Sequence, residues 1–221
     1  MALTPAGGRK RNPQPPTPTR PAVFVDKDGT VARDVPYNVD PARVQLTRGA
    51  GSALRRLVQA GFSLVVVSNQ SGVARGYFAE QDLIPMWTAL ERSLARWGVT
   101  FDGFYYCPHH PAGTQPIYNS ECSCRKPLPG LLVRAAADLR LDLSRSWMVG
   151  DILDDIEASR RAGCRTVLIE NGNETEWNRS SPLRIPHLTA SGLAEAADLI
   201  ISATSPRPRS AHHSELARRG R

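Results

Sequence analysis

The sequence predicts an α/β fold, a doubly wound parallel sheet of Rossmann-like type, and two observations carry that expectation. Short apolar runs recur through the middle of the chain, each too brief for a helix and rich in β-branched residues, as strands buried on both faces are. Helical patterns alternate with them, and strand–helix alternation is the signature of parallel crossovers. The length of 221 residues suits one domain with a small insertion and a full core.

The runs are AVFV (22–25), SLVVV (63–67), WMVG (147–150), TVLI (166–169) and LIIS (199–202). A first helix is expected over 50–60, with Leu54, Leu57 and Val58 on one face and Gly61 as its stop. A second covers 80–97 up to Gly98, with Pro85 delaying or kinking its first turns. Two more are expected over 130–140 and 154–162, the latter closed by Gly163. The stretch 101–129 breaks the alternation: it reads as a loop, holds three of the four cysteines and five prolines, and a loop that long is usually functional or clamped.

Composition excludes several classes. The hydrophobic fraction of 41% and charged fraction of 22% are those of a soluble globular protein. No apolar run approaches the roughly 20 residues of a membrane-spanning helix, and no membrane partner is expected. MALTPAGGRKRNPQPPTPTR has basic residues without a following apolar stretch, so it does not read as a secretory leader; a cytoplasmic protein with reduced thiols is the expectation. The net charge of +7 is confined to the ends: residues 1–21 and 203–221 each carry +4, which leaves 22–202 at −1. Both ends are aperiodic and polar and read as disordered basic tails around a domain spanning 22–202. That domain offers no charge argument for a nucleic-acid partner, so none is expected.

Chemistry concentrates where strands end. VFVDKDGT (23–30) runs a buried strand into Asp26 and Asp28, at the sheet edge where open parallel sheets bind ligands. Carboxylates that close repel one another unless a hard cation such as Mg²⁺ compensates. WMVGDILDD (147–155) sets Asp151 one residue past another strand, and three strand-end carboxylates make a cradle for Mg²⁺. Asp154 and Asp155 open the following helix, where acids also suit the dipole. VVVSNQSG (65–72) supplies Ser68, Asn69 and a Gly-containing turn able to hold a phosphoryl oxygen. CRKP (124–127) offers Arg125 and Lys126, a bidentate fork and a compact charge, just before a helix opening near Pro129. Within the long loop, Cys107 and His109 precede Cys122 and Cys124 by twelve residues, a donor set for a closed structural Zn²⁺ site. His110 is an alternative to His109, and Cys164 reads as a small core residue.

Taken together these motifs resemble, in order and spacing over 22–170, the haloacid dehalogenase superfamily. The resemblance implies that Asp26 is the nucleophile and Asp28 the general acid/base, with Ser68, Lys126 and the Asp151/Asp155 pair as the remaining motifs. It implies Mg²⁺ at Asp26, Asp28 and Asp151, the Asp28 contribution through its backbone carbonyl. DKDGTV, VVVSNQSGVARGYF, YYCPHHP and CRKP further resemble the D-glycero-D-manno-heptose 1,7-bisphosphate phosphatases, in the histidinol-phosphate phosphatase-like branch. That likeness implies a zinc-clamped loop in place of a large cap domain, and removal of the 7-phosphate of a small sugar bisphosphate in nucleotide-heptose synthesis. It also implies substrate contacts at Asp34, Tyr37, Ser68, Asn69, Gln70, Ser71, Arg125 and Lys126. Ile152 stands where relatives often carry Lys. The alternatives are a histidinol-phosphate phosphatase and a nucleic-acid strand-end phosphatase or binding protein using the basic tails. A monomer is expected.

Overall fold

The structure, a computed structural model, describes residues 19–204; all but the innermost residues of the expected basic tails lie outside this range. Six strands form one all-parallel sheet in the order β3-β2-β1-β4-β5-β6. They are β1 (Ala22–Val25), β2 (Ser63–Asn69), β3 (Gly103–Cys107), β4 (Trp147–Gly150), β5 (Arg165–Ile169) and β6 (Leu188–Ala190). The helices are α1 (Ala50–Gln59), α2 (Leu83–Ala95), α3 (Gly130–Leu139), α4 (Leu153–Arg161) and α5 (Leu193–Thr204).

Because successive strand residues point to opposite faces, each central strand feeds two cores. Val23, Val25, Leu64, Val66, Trp147 and Val149 bury themselves against α1, α2 and α5. Phe24, Val65, Val67 and Met148 turn the other way, onto α3 and the Ala158 face of α4. That two-sided burial is why the strands read as unbroken apolar runs.

The strand order reverses between β1 and β4, which pair with Val25 opposite Val149. On this topology the crevice for ligands opens beyond the carboxyl ends of those two strands. Asp26 and Asp151 sit there, each one residue past its strand.

Four expectations need correction. LIIS (199–202) is not a strand but the last turns of α5, whose buried residues Leu193, Ala196, Ala197 and Ile200 follow helical spacing. The sixth strand is instead Leu188–Ala190, three residues long. The stretch 101–129 is not all loop: Gly103–Cys107 is β3, the edge strand beside β2. On α1 the buried face is Ala50, Gly51, Ala53, Leu54 and Leu57, whereas Val58 is exposed. Pro85 is the third residue of α2, in the first turn where a missing N–H removes no helical bond. Among the described residues no helix is long and apolar enough to cross a membrane.

The helical reading of 199–202 makes a prediction. Ile200→Ala, which empties a fully buried site, lowers unfolding free energy by about 2–5 kcal/mol, whereas Val58→Ala changes it by less than about 0.5 kcal/mol. Urea denaturation of the two variants checks this.

Candidate active site

The centre of the site is one buried cation. Lys126 is only 1% exposed. Its Nζ donates to Asp26 Oδ1 at 2.6 Å, to Asp155 Oδ1 at 2.5 Å and to the Val67 carbonyl at 3.0 Å. All three ammonium hydrogens are thereby placed. Burial alone would pull the lysine's pKa down, but the Asp155 and Asp26 charges push harder and hold it raised. The backbone is clamped as well: Asn69 Nδ2 donates to the Lys126 carbonyl, and the Lys126 N–H donates to Asn69 Oδ1, both at 3.1 Å.

Asp26, Asp151 and Asp155 bring carboxylate oxygens within 4.8 Å of one another. Asp155 is spoken for: besides Lys126 it accepts the Ile152 N–H at 3.4 Å. It lies tight over β4, where a Cβ on Gly150 would collide with its carboxylate. Asp151 is held by three donors, Asn173 Nδ2 at 2.6 Å, Thr30 Oγ1 at 3.3 Å and Asn171 Nδ2 at 3.4 Å. Burial, and then the Asp26 charge, push its pKa up to about 6. Such a carboxylate is poised for a cation that would relieve both penalties.

Asp28 lies beside Asp26 at the mouth, and Lys27 pairs with it. Burial raises its pKa; Lys27 opposes this and Asp26 adds to it, leaving a net upward shift. Ser68 Oγ accepts from Gln70 Nε2 at 2.8 Å, which leaves the hydroxyl hydrogen free to donate. Asp28, Asp34, Tyr37, Asn69, Gln70 and Ser71 line a cleft of about 200 Å³. Tyr37, in the left-handed region at φ 53°, packs edge-on against Tyr77 with ring centroids 4.7 Å apart.

Thus Asp26, Asp28, Ser68, Lys126, Asp151 and the cleft residues converge. Arg125 does not line that cleft; its Nη1 donates to the His109 carbonyl at 3.4 Å, on the Cys/His loop. Asn171 and Asn173, in the connection after β5, carry no sequence signal beyond those of any polar loop.

The second donor set closes the other end of the loop. The Cys107, Cys122 and Cys124 sulfurs lie 3.2–3.5 Å apart, and His109 Nδ1 is 3.7 Å from Cys107 Sγ and 3.5 Å from Cys124 Sγ. A tetrahedral ion with bonds of roughly 2.3 Å to sulfur needs sulfur–sulfur edges of about 3.8 Å, so the four donors fit zinc after a small relaxation. His109 belongs to this group and His110 does not.

A parallel sheet with a lysine-bridged carboxylate pair at its switch point defines a hydrolase of the haloacid dehalogenase type, and known proteins agree. The model of the HAD-hydrolase-like family matches residues 123–196. A D-glycero-beta-D-manno-heptose-1,7-bisphosphate 7-phosphatase of Yersinia pestis is 43% identical over 157 residues, covering 71% of this chain and 84% of that one. The Escherichia coli K12 protein of the same name is 40% identical over 175 residues, 75% of this chain and 92% of that one. Among solved structures, the B. bronchiseptica D,D-heptose 1,7-bisphosphate phosphatase complexed with magnesium and phosphate superposes with a TM-score of 0.68 at 30% identity. It covers 83% of this chain and 99% of its own. The chain belongs to the heptose-bisphosphate 7-phosphatase family of HAD-like hydrolases.

The buried charge makes a prediction. Lys126→Met leaves Asp26 and Asp155 without their cation and destabilises the fold by about 3–5 kcal/mol. Arg134→Ala, which removes the exposed Arg134–Asp138 pair, costs no more than about 0.5 kcal/mol. Chemical denaturation of both variants tests the contrast.

Proposed function

We propose that this chain is a phosphoric monoester hydrolase that removes the 7-phosphate of D-glycero-D-manno-heptose 1,7-bisphosphate through a phospho-aspartate on Asp26. The observation that carries it is the lysine-bridged strand-end site in a chain 40% identical to proteins named for that reaction. Asp26 presents its carboxylate to phosphorus, and Lys126 Nζ, donating to its Oδ1, fixes the orientation of that carboxylate. As the bond from phosphorus to the sugar oxygen breaks, Asp28 delivers its proton to that oxygen. Burial, opposed by Lys27 and aided by the Asp26 charge, raises its pKa, the direction that suits a group which must deliver a proton. A water then attacks phosphorus, Asp28 takes back a proton, and phosphate leaves Asp26. Ser68 Oγ–H and the Lys126 ammonium stabilise charge on the phosphoryl oxygens.

The side chains of Asp26 and Asp151 and the Asp28 carbonyl would hold Mg²⁺, which supplies charge neutralisation at the phosphoryl group. The donor set is all oxygen, as that ion requires. Cys107, His109, Cys122 and Cys124 would hold a structural Zn²⁺ away from the chemistry. Asp34, Tyr37, Asn69, Gln70 and Ser71 would bind the sugar, with Arg125 directed at its second phosphate. Every residue invoked lies within 22–202 of one chain, so the proposed site needs no residue from a second copy.

Two outcomes follow. Asp26→Asn abolishes multiple turnovers while the circular dichroism spectrum and zinc content stay at wild-type values; Asp28→Asn retains less than about 1% of kcat, given the roughly 10²–10⁴-fold worth of acid–base catalysis. Steady-state assays on the bisphosphate check both, and turnover by Asp26→Asn above background would reassign the nucleophile. Metal analysis finds about one zinc per chain, and Cys122→Ser loses it and unfolds at lower temperature. Zinc-free native protein would remove the structural role of the loop.

A further inference from the structure

The loop that follows β5 is built onto Asp151. It reads Asn171-Gly172-Asn173, and Gly172, in the left-handed region at φ 90°, turns the chain so that both amides reach one carboxylate. Asn173 N–H donates to Asn171 Oδ1 at 3.1 Å, which leaves Asn171 Nδ2 as the end that faces the site. That nitrogen donates to the Gly29 carbonyl at 2.9 Å and to Asp151 Oδ2 at 3.4 Å. Asn173 Nδ2 donates to the same oxygen at 2.6 Å, and Thr30 Oγ1 donates to the other, Oδ1, at 3.3 Å. At Gly29, itself at φ 76°, a Cβ would collide with both the Asp151 carboxylate and the Asn173 amide.

These contacts do two things. Asn171 joins Gly29, the residue after Asp28, to Asp151, so one amide sets the spacing of the two loops that carry the Asp28 carbonyl and the Asp151 carboxylate. With both of its oxygens held, the Asp151 carboxylate cannot turn to offer the pair of them to one ion without giving up hydrogen bonds. The loop is anchored in turn: Glu174 Oε2 accepts the Leu153 N–H at 2.6 Å, and its Oε1 accepts the Glu176 N–H at 2.8 Å. Dications differ in what they ask of such a cradle. Mg²⁺ demands a near-octahedral set of oxygens at about 2.0–2.1 Å, whereas Ca²⁺ takes roughly six to eight at about 2.3–2.6 Å, often with a carboxylate giving both oxygens. A fixed cradle that offers single oxygens suits the first and penalises the second.

We propose that Asn171 and Asn173 are positioning residues that make the site select a small dication over a larger one, Mg²⁺ over Ca²⁺, by holding Asp151 and the Gly29 turn at a fixed spacing. The inference rests on the magnesium reading above. It gives the β5–β6 connection, which lies outside the strand-end motifs, a part in the choice of metal. Asn171 is exposed and Asn173 half-buried, so neither side chain is needed to fill the core.

Metal affinity in the absence of substrate tests it, with free Mn²⁺ followed by electron paramagnetic resonance and displaced by Mg²⁺ or by Ca²⁺. Wild-type protein prefers Mg²⁺. Asn171→Ala and Asn173→Ala each weaken Mg²⁺ on the order of ten- to hundredfold, as substitutions of groups that orient metal ligands do, and weaken Ca²⁺ less, so the affinity ratio falls. Asn173→Gln, which keeps an amide, recovers part of it. A loop that only supports the fold would lower the melting temperature of the metal-free variants and leave the ratio at its wild-type value, and that result overturns the proposal. Asp151→Asn separates the two readings. If it abolishes Mn²⁺ binding while the amide variants keep the wild-type ratio, the clamp is overturned and the metal site stands. If Asp151→Asn binds Mn²⁺ as wild type does, the metal site is overturned and the clamp with it.

Discussion

The ammonium of Lys126 is the constraint around which the rest of the site is arranged. A fully buried cation is tolerated only when its hydrogens are matched by acceptors and its charge by carboxylates. Here Asp26, Asp155 and the Val67 carbonyl meet both conditions. Those three acceptors come from β1, α4 and β2, so one side chain ties three crossovers of the sheet together. The tie has consequences for the backbone. Residue 150 must be small because Asp155 lies over it, and Asn69 must grip the Lys126 peptide from both sides. The lysine also fixes the orientation of the Asp26 carboxylate.

Much of this was legible in the sequence, for a physical reason. Strands buried on both faces leave unbroken apolar runs, and the residue just past each run falls at the sheet's carboxyl edge; Asp26, Ser68 and Asp151 were found that way. The cysteines were found by spacing, since close donor pairs clamping a long loop have few other uses. Less visible was anything that depended on tertiary context. Leu188–Ala190 is a strand only because β5 lies beside it, and LIIS has the composition of a strand but the spacing of a helix once Leu193 and Ala196 are counted. Strand β3 was hidden inside the Cys/His stretch because GFYYC is half-buried at an edge, without the apolar continuity of the central strands.

Asn171 and Asn173 were missed for a different reason. Nothing in NGNET marks a functional loop; the two amides matter because the β5–β6 connection folds back over the end of β4. There they orient Asp151, and Glu174 accepts the Leu153 N–H at 2.6 Å, capping α4. The same connection reaches α4 again through Arg184, which pairs with Asp154 and Glu157. The helix that carries Asp155 is thus held at its first turn from outside the motif that defines it, and Ile152, the departure from the usual lysine, sits in the middle of that brace.

The charge balance of the site argues for the proposed divalent ion more directly than any single distance. Four carboxylates, Asp26, Asp28, Asp151 and Asp155, meet at the switch point, with Lys27 and Lys126 as the cations paired to them. Asp155 and Asp26 share Lys126, and Asp28 takes Lys27, so two negative charges are left over, one on the Asp26/Asp155 pair and one on Asp151. Burial and then the Asp26 charge raise the pKa of Asp151 to about 6, and burial raises that of Asp155 to about 8, so both carboxylates resist carrying their charge there. The donors to Asp151 are neutral: Asn173, Thr30 and Asn171 can orient the carboxylate but cannot cancel its charge. A second lysine there would cancel it at the cost of the open coordination that a phosphoryl oxygen needs. A hard dication bound through oxygen removes the excess and keeps positions free for substrate. The amides around Asp151 are then best understood as aiming a ligand whose counter-charge arrives with the metal.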